Sequence, residues 1–178
     1  VQGIPLRLIG DRIPPVLEVR GEIFMANSDL VALNQERKRK GEDPYANTRN
    51  VTAGSIRLLD PRICAERRLQ FVGHGMGTTS EVDATDHMAF LAQLRRFGLP
   101  IVPLVECFSS FDEAVQHCET IVQRLHELDF EVDGLVLKVN RLDQRSQLIW
   151  KDRIRALPLA ALVHESGLHF MLGMNQRF

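Results

Sequence analysis

The sequence has few cysteines and no long hydrophobic run, and each shortage excludes a class of protein. Only three of the 178 residues are cysteines, and Cys64, Cys107 and Cys118 are widely separated. They offer neither a zinc-ligand spacing nor a disulfide framework, which favours a reducing cytosol. No apolar run approaches the roughly 18 residues that a membrane-spanning helix needs, so no membrane partner is expected.

The sequence also lacks a large net charge of either sign, an initiator methionine and a signal peptide. Its formal net charge is -1, so any DNA-binding surface has to be a local patch rather than a global basic field. Residues Val1 to Leu6 include neither an initiator methionine nor a signal-peptide pattern. We therefore expect the middle of a longer polypeptide, with enough residues for one domain with a hydrophobic core.

Predicted helices and strands follow one another along the chain in no regular order. Strict apolar–polar alternation predicts a strand over Val16–Phe24. Ser28 is a candidate cap for a helix through about Lys40, and Thr85 opens another that Gly98 ends. A further strand is predicted over Phe130–Asn140. Because no βαβ repeat is present, the sequence predicts an α+β fold.

Charged residues line one side of the first predicted strand. Glu18, Arg20 and Glu22 share a face, and the outer two lie about 13 Å apart along the strand. A carboxylate on a rigid strand can hold a ribose hydroxyl or a hydrated metal ion, and the alternative is an ion-pair ladder on a solvated sheet face. Gly21 adds a second indication, because a glycine inside a strand often marks close approach of a ligand or another backbone.

The segment Asn47–Arg57 is rich in small and polar residues and is predicted to be a turn between two arginines. Arg49 and Arg57 can present forked cations to phosphate, alongside backbone N–H groups. The alternative is a surface loop whose arginines pair with nearby acids such as Asp60.

The last pattern is an apolar strand with an acid at its head. Asp133 begins the segment and Lys138 lies near its end. Strict alternation places them on opposite faces, so they converge only if Asp133-Gly134 forms a turn or bulge. Lys138 could then neutralise a phosphate while Asp133 positions a metal-bound water. The alternative is a buried strand whose lysine surfaces at its end.

Other polar residues have simpler interpretations. The basic run Arg37–Lys40 falls in the last turn of a predicted helix, where cations favour the helix dipole, with DNA contact as the alternative. The histidines have no motif around them and are interpreted as surface or satisfied core residues. They are His74, His87, His117, His126, His164 and His169.

Four segments in this order resemble the bacterial NAD-dependent DNA ligases. They are Leu17–Phe24, Tyr45–Asn50, Ala53–Pro61 and Asp133–Asn140. The resemblance implies part of a nucleotidyltransferase core, an ATP-grasp-like DNA ligase fold of antiparallel sheets flanked by helices. It assigns residues 1–148 to the C-terminal portion of the adenylation domain and leaves 149–178 as a tail that does not match.

The resemblance also implies an activity: sealing nicks in duplex DNA, with NAD as AMP donor, Mg²⁺ as cofactor and a lysyl-adenylate intermediate. By motif, Glu22 would engage the adenosine ribose and order the magnesium hydration shell. Arg49 and Arg57 would hold phosphates of the cofactor or the DNA. Asp133 would support the metal and nucleotide site, and Lys138 would contact the α-phosphate.

The sequence departs from the family's pattern in ways that affect function. The family's nucleophilic lysine lies in a Lys-x-Asp-Gly motif upstream of Glu18, and the chain does not contain it. We therefore expect the chain to be inactive alone and to need the remainder of the ligase. Leu125 stands where the family has an arginine, and Thr48 where it has a proline. The Pro-Arg-Trp-Ala and Tyr-Lys-Phe stretches expected after Leu148 are not found.

Two functions follow as hypotheses. The first is a fragment of a ligase that acts in the bacterial cytoplasm in association with the nucleoid. The second is a non-catalytic module that binds DNA or a nucleotide.

Overall fold

The computed structural model describes residues 1–132 and 134–145 in full, and the backbone of 170–175. Helices and strands are mixed, in agreement with the α+β class. In chain order the elements are β1 (Val16–Phe24), α1 (Asn27–Arg39), α2 (Thr48–Ile56), α3 (Pro61–Glu66), β2 (Gln70–Ser80), α4 (His87–Arg96), β3 (Glu106–Phe108), α5 (Phe111–Arg124), a 3-10 turn (Leu125–Glu127), β4 (Gly134–Val139) and β5 (Phe170–Asn175).

The strands form two antiparallel sheets. β1 pairs with β2, and β5 lies between β3 and β4. The β1–β2 register shifts between Arg20 and Gly21, where β2 contains one additional residue, His74. Such a bulge bends the strand and re-aims the side chain of the extra residue.

Helix α4 covers the β1–β2 sheet and forms the main core. Phe90, Leu91 and Leu94 are almost completely buried, and partly buried residues of both strands pack against them. The apolar face predicted for this helix is confirmed. Its start is one residue later than expected, because the carboxylate of Asp86 caps it by accepting the Ala89 N–H at 2.9 Å.

The segment predicted as a small-residue turn is instead helix α2, so that prediction is wrong. The Asn47 side chain caps it by accepting the Asn50 N–H at 2.8 Å. Its buried face consists of Val51 and the polar residues Thr48, Thr52 and Ser55. These small side chains let the helix lie close to β1, and they hide the apolar periodicity by which helices are recognised.

Helix α1 includes Ser28 within its first turn, so the predicted cap is also wrong. The carboxylate of Asp129 accepts the Ser28 N–H at 2.9 Å and the Ser28 hydroxyl. The basic run at the other end falls in the last turn as predicted. There Arg37 pairs with Glu42 at 2.7 Å, and Gly41 has the positive φ of a helix terminator.

Gly21 is required by close contacts with the paired strand. A Cβ atom at this position would lie 2.3 Å from the ring of Phe71 and 2.4 Å from the backbone oxygen of Val72. The ring and the carbonyl together occupy the space above the glycine, and these contacts explain the glycine inside β1.

We expect Gly21→Ala to lower the free energy of unfolding by about 1–3 kcal/mol, because the added methyl overpacks the Phe71 ring and the Val72 backbone oxygen. Gly54→Ala is the control, because nothing lies within 4 Å of its Cβ and removing glycine from a helix stabilises by up to about 1 kcal/mol. Urea denaturation measures both. A Gly21→Ala variant as stable as the wild type would contradict the steric explanation.

Candidate functional site

A groove between β1 and α2 brings together two of the predicted site residues. It has a volume of about 420 Å³, and Glu22 and Arg57 both line it. The remaining lining residues are Gly21, Ile23, Thr52, Ala53 and Ile56. One wall therefore belongs to β1, including Glu22, and the other to α2 with Arg57 after it, and small side chains leave space between them. The Glu22 carboxylate itself is directed to His74, on the side of a second pocket that both residues line.

The bulge in β2 places His74 beside Glu22. Nε2 of His74 lies 3.3 Å from Oε1 of Glu22, and the two side chains are 30% and 29% exposed. Glu18 and Arg20 instead pair with each other at 3.7 Å on the open surface. The predicted charged face is thus divided: its outer part is a solvated ion pair, whereas the Glu22 carboxylate contacts His74.

The two predicted phosphate-binding arginines lie at opposite ends of α2. Arg57 follows the last turn and lines the groove, whereas Arg49 is exposed on the first turn and is not among the lining residues. Eight residues of helix separate them by about 12 Å. The predicted pairing with Asp60 is made by Arg62, at 3.4 Å. In the part of the chain that the structure describes, no ion pair joins either α2 arginine to an acid.

Lys138 lies near the end of β4 and is half-buried. Burial, followed by the positive charge of Arg145, lowers its pKa. A lysine held in this way gains favourable charge interactions when an anion arrives, which suits a phosphate contact. Asp133, the other predicted residue of this segment, lies outside the described residues.

A buried histidine connects the Glu22 side of the site to the Lys138 side. His87 is 1% exposed; its Nε2 contacts the backbone oxygen of His74 at 3.0 Å, and its Nδ1 contacts Nη1 of Arg145 at 3.2 Å. Its interpretation as a satisfied core residue is confirmed. Sequence analysis missed the positions of His74 and Arg145, although glycines at alternate positions of β2, Gly73 to Gly77, indicate an irregular strand.

Neither a metal-binding cluster nor a membrane-spanning helix is found in the described part of the chain. Among residues 1–132 and 134–145, no group of three or more histidine, cysteine, aspartate or glutamate side chains is arranged to hold a metal ion. None of the helices in the described ranges has the length and apolar character needed to cross a membrane.

The buried histidine makes stability depend on pH. Burial, and then the charges of Arg145 and Lys138, lower the pKa of His87 from 6.5 to about 4. The unfolded chain thus binds a proton near pH 6.5 that the folded chain takes up only near pH 4. We expect the contribution of neutral His87 to the free energy of unfolding to be complete above pH 6.5. It should decline by about 3 kcal/mol as the pH falls to 4. Urea denaturation of wild type and His87→Gln isolates it, and identical pH profiles would contradict it.

Comparison with known proteins identifies the family. The model of the NAD-dependent DNA ligase adenylation domain matches residues 1–161. The match runs past residue 148, and the division of the chain there stays a prediction.

Curated relatives agree with the family model. A DNA ligase of Rhodopirellula baltica is 45% identical over 139 residues, which is 78% of this chain and 20% of the relative. A DNA ligase of Bartonella henselae is 38% identical over 165 residues, covering 93% of this chain and 22% of the relative. One from Sinorhizobium medicae is 39% identical over 84% of the chain and 21% of its own length. The chain spans about a fifth of the length of these relatives. With the family model matching most of its residues, the chain belongs to the NAD-dependent DNA ligase adenylation domain family.

Proposed function

We propose that this chain is the part of a DNA ligase that holds the ribose and phosphates of an adenylate, within an enzyme that uses NAD as AMP donor and nicked duplex DNA as substrate. The observation that carries the proposal is the groove shared by Glu22 and Arg57. The Glu22 carboxylate accepts hydrogen bonds from a ribose hydroxyl, while the guanidinium of Arg57 binds phosphate oxygens.

The charges suit phosphoryl-type transfer, in which a protein mainly positions groups and neutralises developing charge. A lysine attacks the α-phosphorus of NAD and forms a phosphorus–nitrogen bond, and the bond to nicotinamide mononucleotide breaks. Lys138, whose pKa burial lowers, serves as the α-phosphate contact and not as the nucleophile. Arg49, at the far end of α2, is assigned to the DNA strand.

Glu22 is the carboxylate of this region that we assign to a magnesium ion. Mg²⁺ usually keeps several waters and binds one or two carboxylates together with substrate phosphates, so Glu22 fits this mode with Asp133 as the second acid. When bound, the ion would neutralise phosphate charge.

We infer that the two antiparallel sheets with their helices form a portion of a nucleotidyltransferase core, and that the remainder of the ligase supplies the Lys-x-Asp-Gly lysine. DNA as substrate places the whole enzyme in the bacterial cytoplasm with the nucleoid.

We expect the 178-residue chain alone to remain unlabelled when incubated with Mg²⁺ and NAD carrying ³²P in its adenylate phosphate, because no Lys-x-Asp-Gly motif is present to form the phosphoramide. The full-length Rhodopirellula baltica ligase is the positive control. Label on the chain that survives denaturation would show that one of its own lysines is a nucleophile and would overturn the assignment of Lys138.

Binding of nicked duplex tests the DNA role. We expect Arg49→Gln to weaken binding and to make the slope of log affinity against log salt less steep by about 1, because its guanidinium releases about one counterion, whereas Arg57→Gln, which we assign to the adenylate, should leave DNA binding unchanged. Arg96→Gln, an exposed arginine of α4 that does not line the groove, is the matched control and should change neither the affinity nor the slope.

The same measurement separates the two hypotheses. The non-catalytic DNA-binding module would be favoured if the DNA affinity depends on Arg57 but not on NAD or Mg²⁺, and if the chain binds no AMP. Equal losses in all three arginine variants would contradict a specific role for Arg49 in DNA binding.

A further inference from the structure

The first turn of α4 is hydrogen-bonded to the end of β4 through buried polar groups. The His87 N–H donates to the backbone oxygen of Asn140 at 2.9 Å, and the Met88 N–H donates to Oδ1 of the same residue at 3.1 Å. Asn140 is 7% exposed. A buried asparagine that satisfies two N–H groups at a helix start fixes the direction in which the helix leaves.

Arg145 closes this arrangement from the other side. Its Nε and Nη2 donate to the backbone oxygen of Val139 at 3.2 and 2.6 Å, and its Nη1 contacts Nδ1 of His87 at 3.2 Å. An arginine has only donors, so Nδ1 is the acceptor and Nε2 carries the proton. That proton is donated to the backbone oxygen of His74. One neutral tautomer of His87 therefore satisfies both contacts.

These contacts join two strands that no ladder connects. His74 lies on β2 in the first sheet, and Val139 lies on β4 in the second. Lys138 precedes Val139, and Glu22 contacts the His74 side chain. The relative position of Lys138 and Glu22 thus depends on the polar contacts made by three residues, His87, Asn140 and Arg145, which we name the α4–β4 latch.

We propose that the α4–β4 latch is a positioning device: His87, Asn140 and Arg145 hold Lys138 at a fixed distance from Glu22, so that both face one phosphate-bearing ligand. The phosphate-bearing ligand rests on the proposed function, whereas the coupling of β2 to β4 through the latch does not. None of the three residues needs to touch substrate.

A core-filling role is the alternative, and the chemistry of the latch distinguishes the two. Packing alone needs volume, which leucine supplies at position 87. Positioning needs a donor toward the His74 oxygen, which glutamine supplies and leucine does not. Rescue by glutamine but not by leucine is therefore specific to the positioning role.

The experiment uses the whole chain in His87→Leu and His87→Gln forms, with Leu94→Ala as a matched control. Leu94 is equally buried in the same helix, whereas Phe90 is unsuitable because its ring packs against His87. NMR titration of the Lys138 amine, which burial and Arg145 hold at a lowered pKa, reports the environment of the lysine. Hydrogen exchange of the Met88 amide reports the latch itself.

We expect His87→Leu to raise the pKa of Lys138 toward its ordinary value and to speed Met88 exchange about tenfold, the equivalent of losing one buried hydrogen bond. Such a rise means that the arrangement of Lys138 and Arg145 has changed, because these two groups and burial set the pKa of the lysine. His87→Gln should restore both values, and Leu94→Ala should leave the pKa of Lys138 unchanged. If His87→Leu does not fold, Asn140→Ala serves as the second variant with the same expectation.

Two results would overturn the inference. One is an unchanged pKa of Lys138 in a folded latch variant with fast Met88 exchange, and the other is an equal change of that pKa in Leu94→Ala. AMP is the ligand probe. If the wild-type chain binds no AMP, the proposed nucleotide role is refuted, and the titration of Lys138 still tests the positioning role of the latch. AMP binding that weakens severalfold in His87→Leu and recovers in His87→Gln supports both the nucleotide role and the positioning role.

Discussion

The pairing of β1 with β2, with His74 as an additional residue in β2, is the constraint on which the rest of the structure depends. Without the additional residue the side chain of His74 would follow the ordinary alternation of the strand. With it, the imidazole lies beside Glu22 while the backbone oxygen meets His87. The register shift between Arg20 and Gly21 thus brings His74 into contact with Glu22 through its side chain and with His87 through its backbone.

Small residues make the groove available. Gly21 leaves room for the Phe71 ring, and the small buried face of α2 lets that helix lie along β1. Larger side chains on these elements would increase apolar burial and stability, but they would fill the space between Glu22 and Arg57. The site therefore occupies a place where packing has been kept incomplete, which is how a concave binding surface with few polar groups arises.

Sequence patterns predicted the elements whose stability is local. The apolar stripe of α4 and the alternation of β1 have periodicities that depend only on neighbouring residues, and both are confirmed. Helix α2 was missed because its buried face is polar, and the start of α1 was misassigned because its partner, Asp129, is 101 residues away in sequence. Such long-range contacts leave no periodic signal.

The site was predicted in part for the same reason. Motif resemblance named Glu22, Arg57 and Lys138, and the structure places the first two in one groove. His74 and Arg145 have no motif, and their positions follow from the register of β2 and from the contacts of β4 with α4. The proximity of residues on separate strands is therefore a property of the fold, beyond what any one segment specifies.

The most direct test of the central claim is an NMR titration of the intact chain with AMP and Mg²⁺. The account predicts that resonances of Glu22, Arg57 and Lys138 shift together along one binding curve with a single dissociation constant. Shifts confined to one of the three residues, or three unrelated curves, would show that the groove and the lysine do not form one phosphate-binding site.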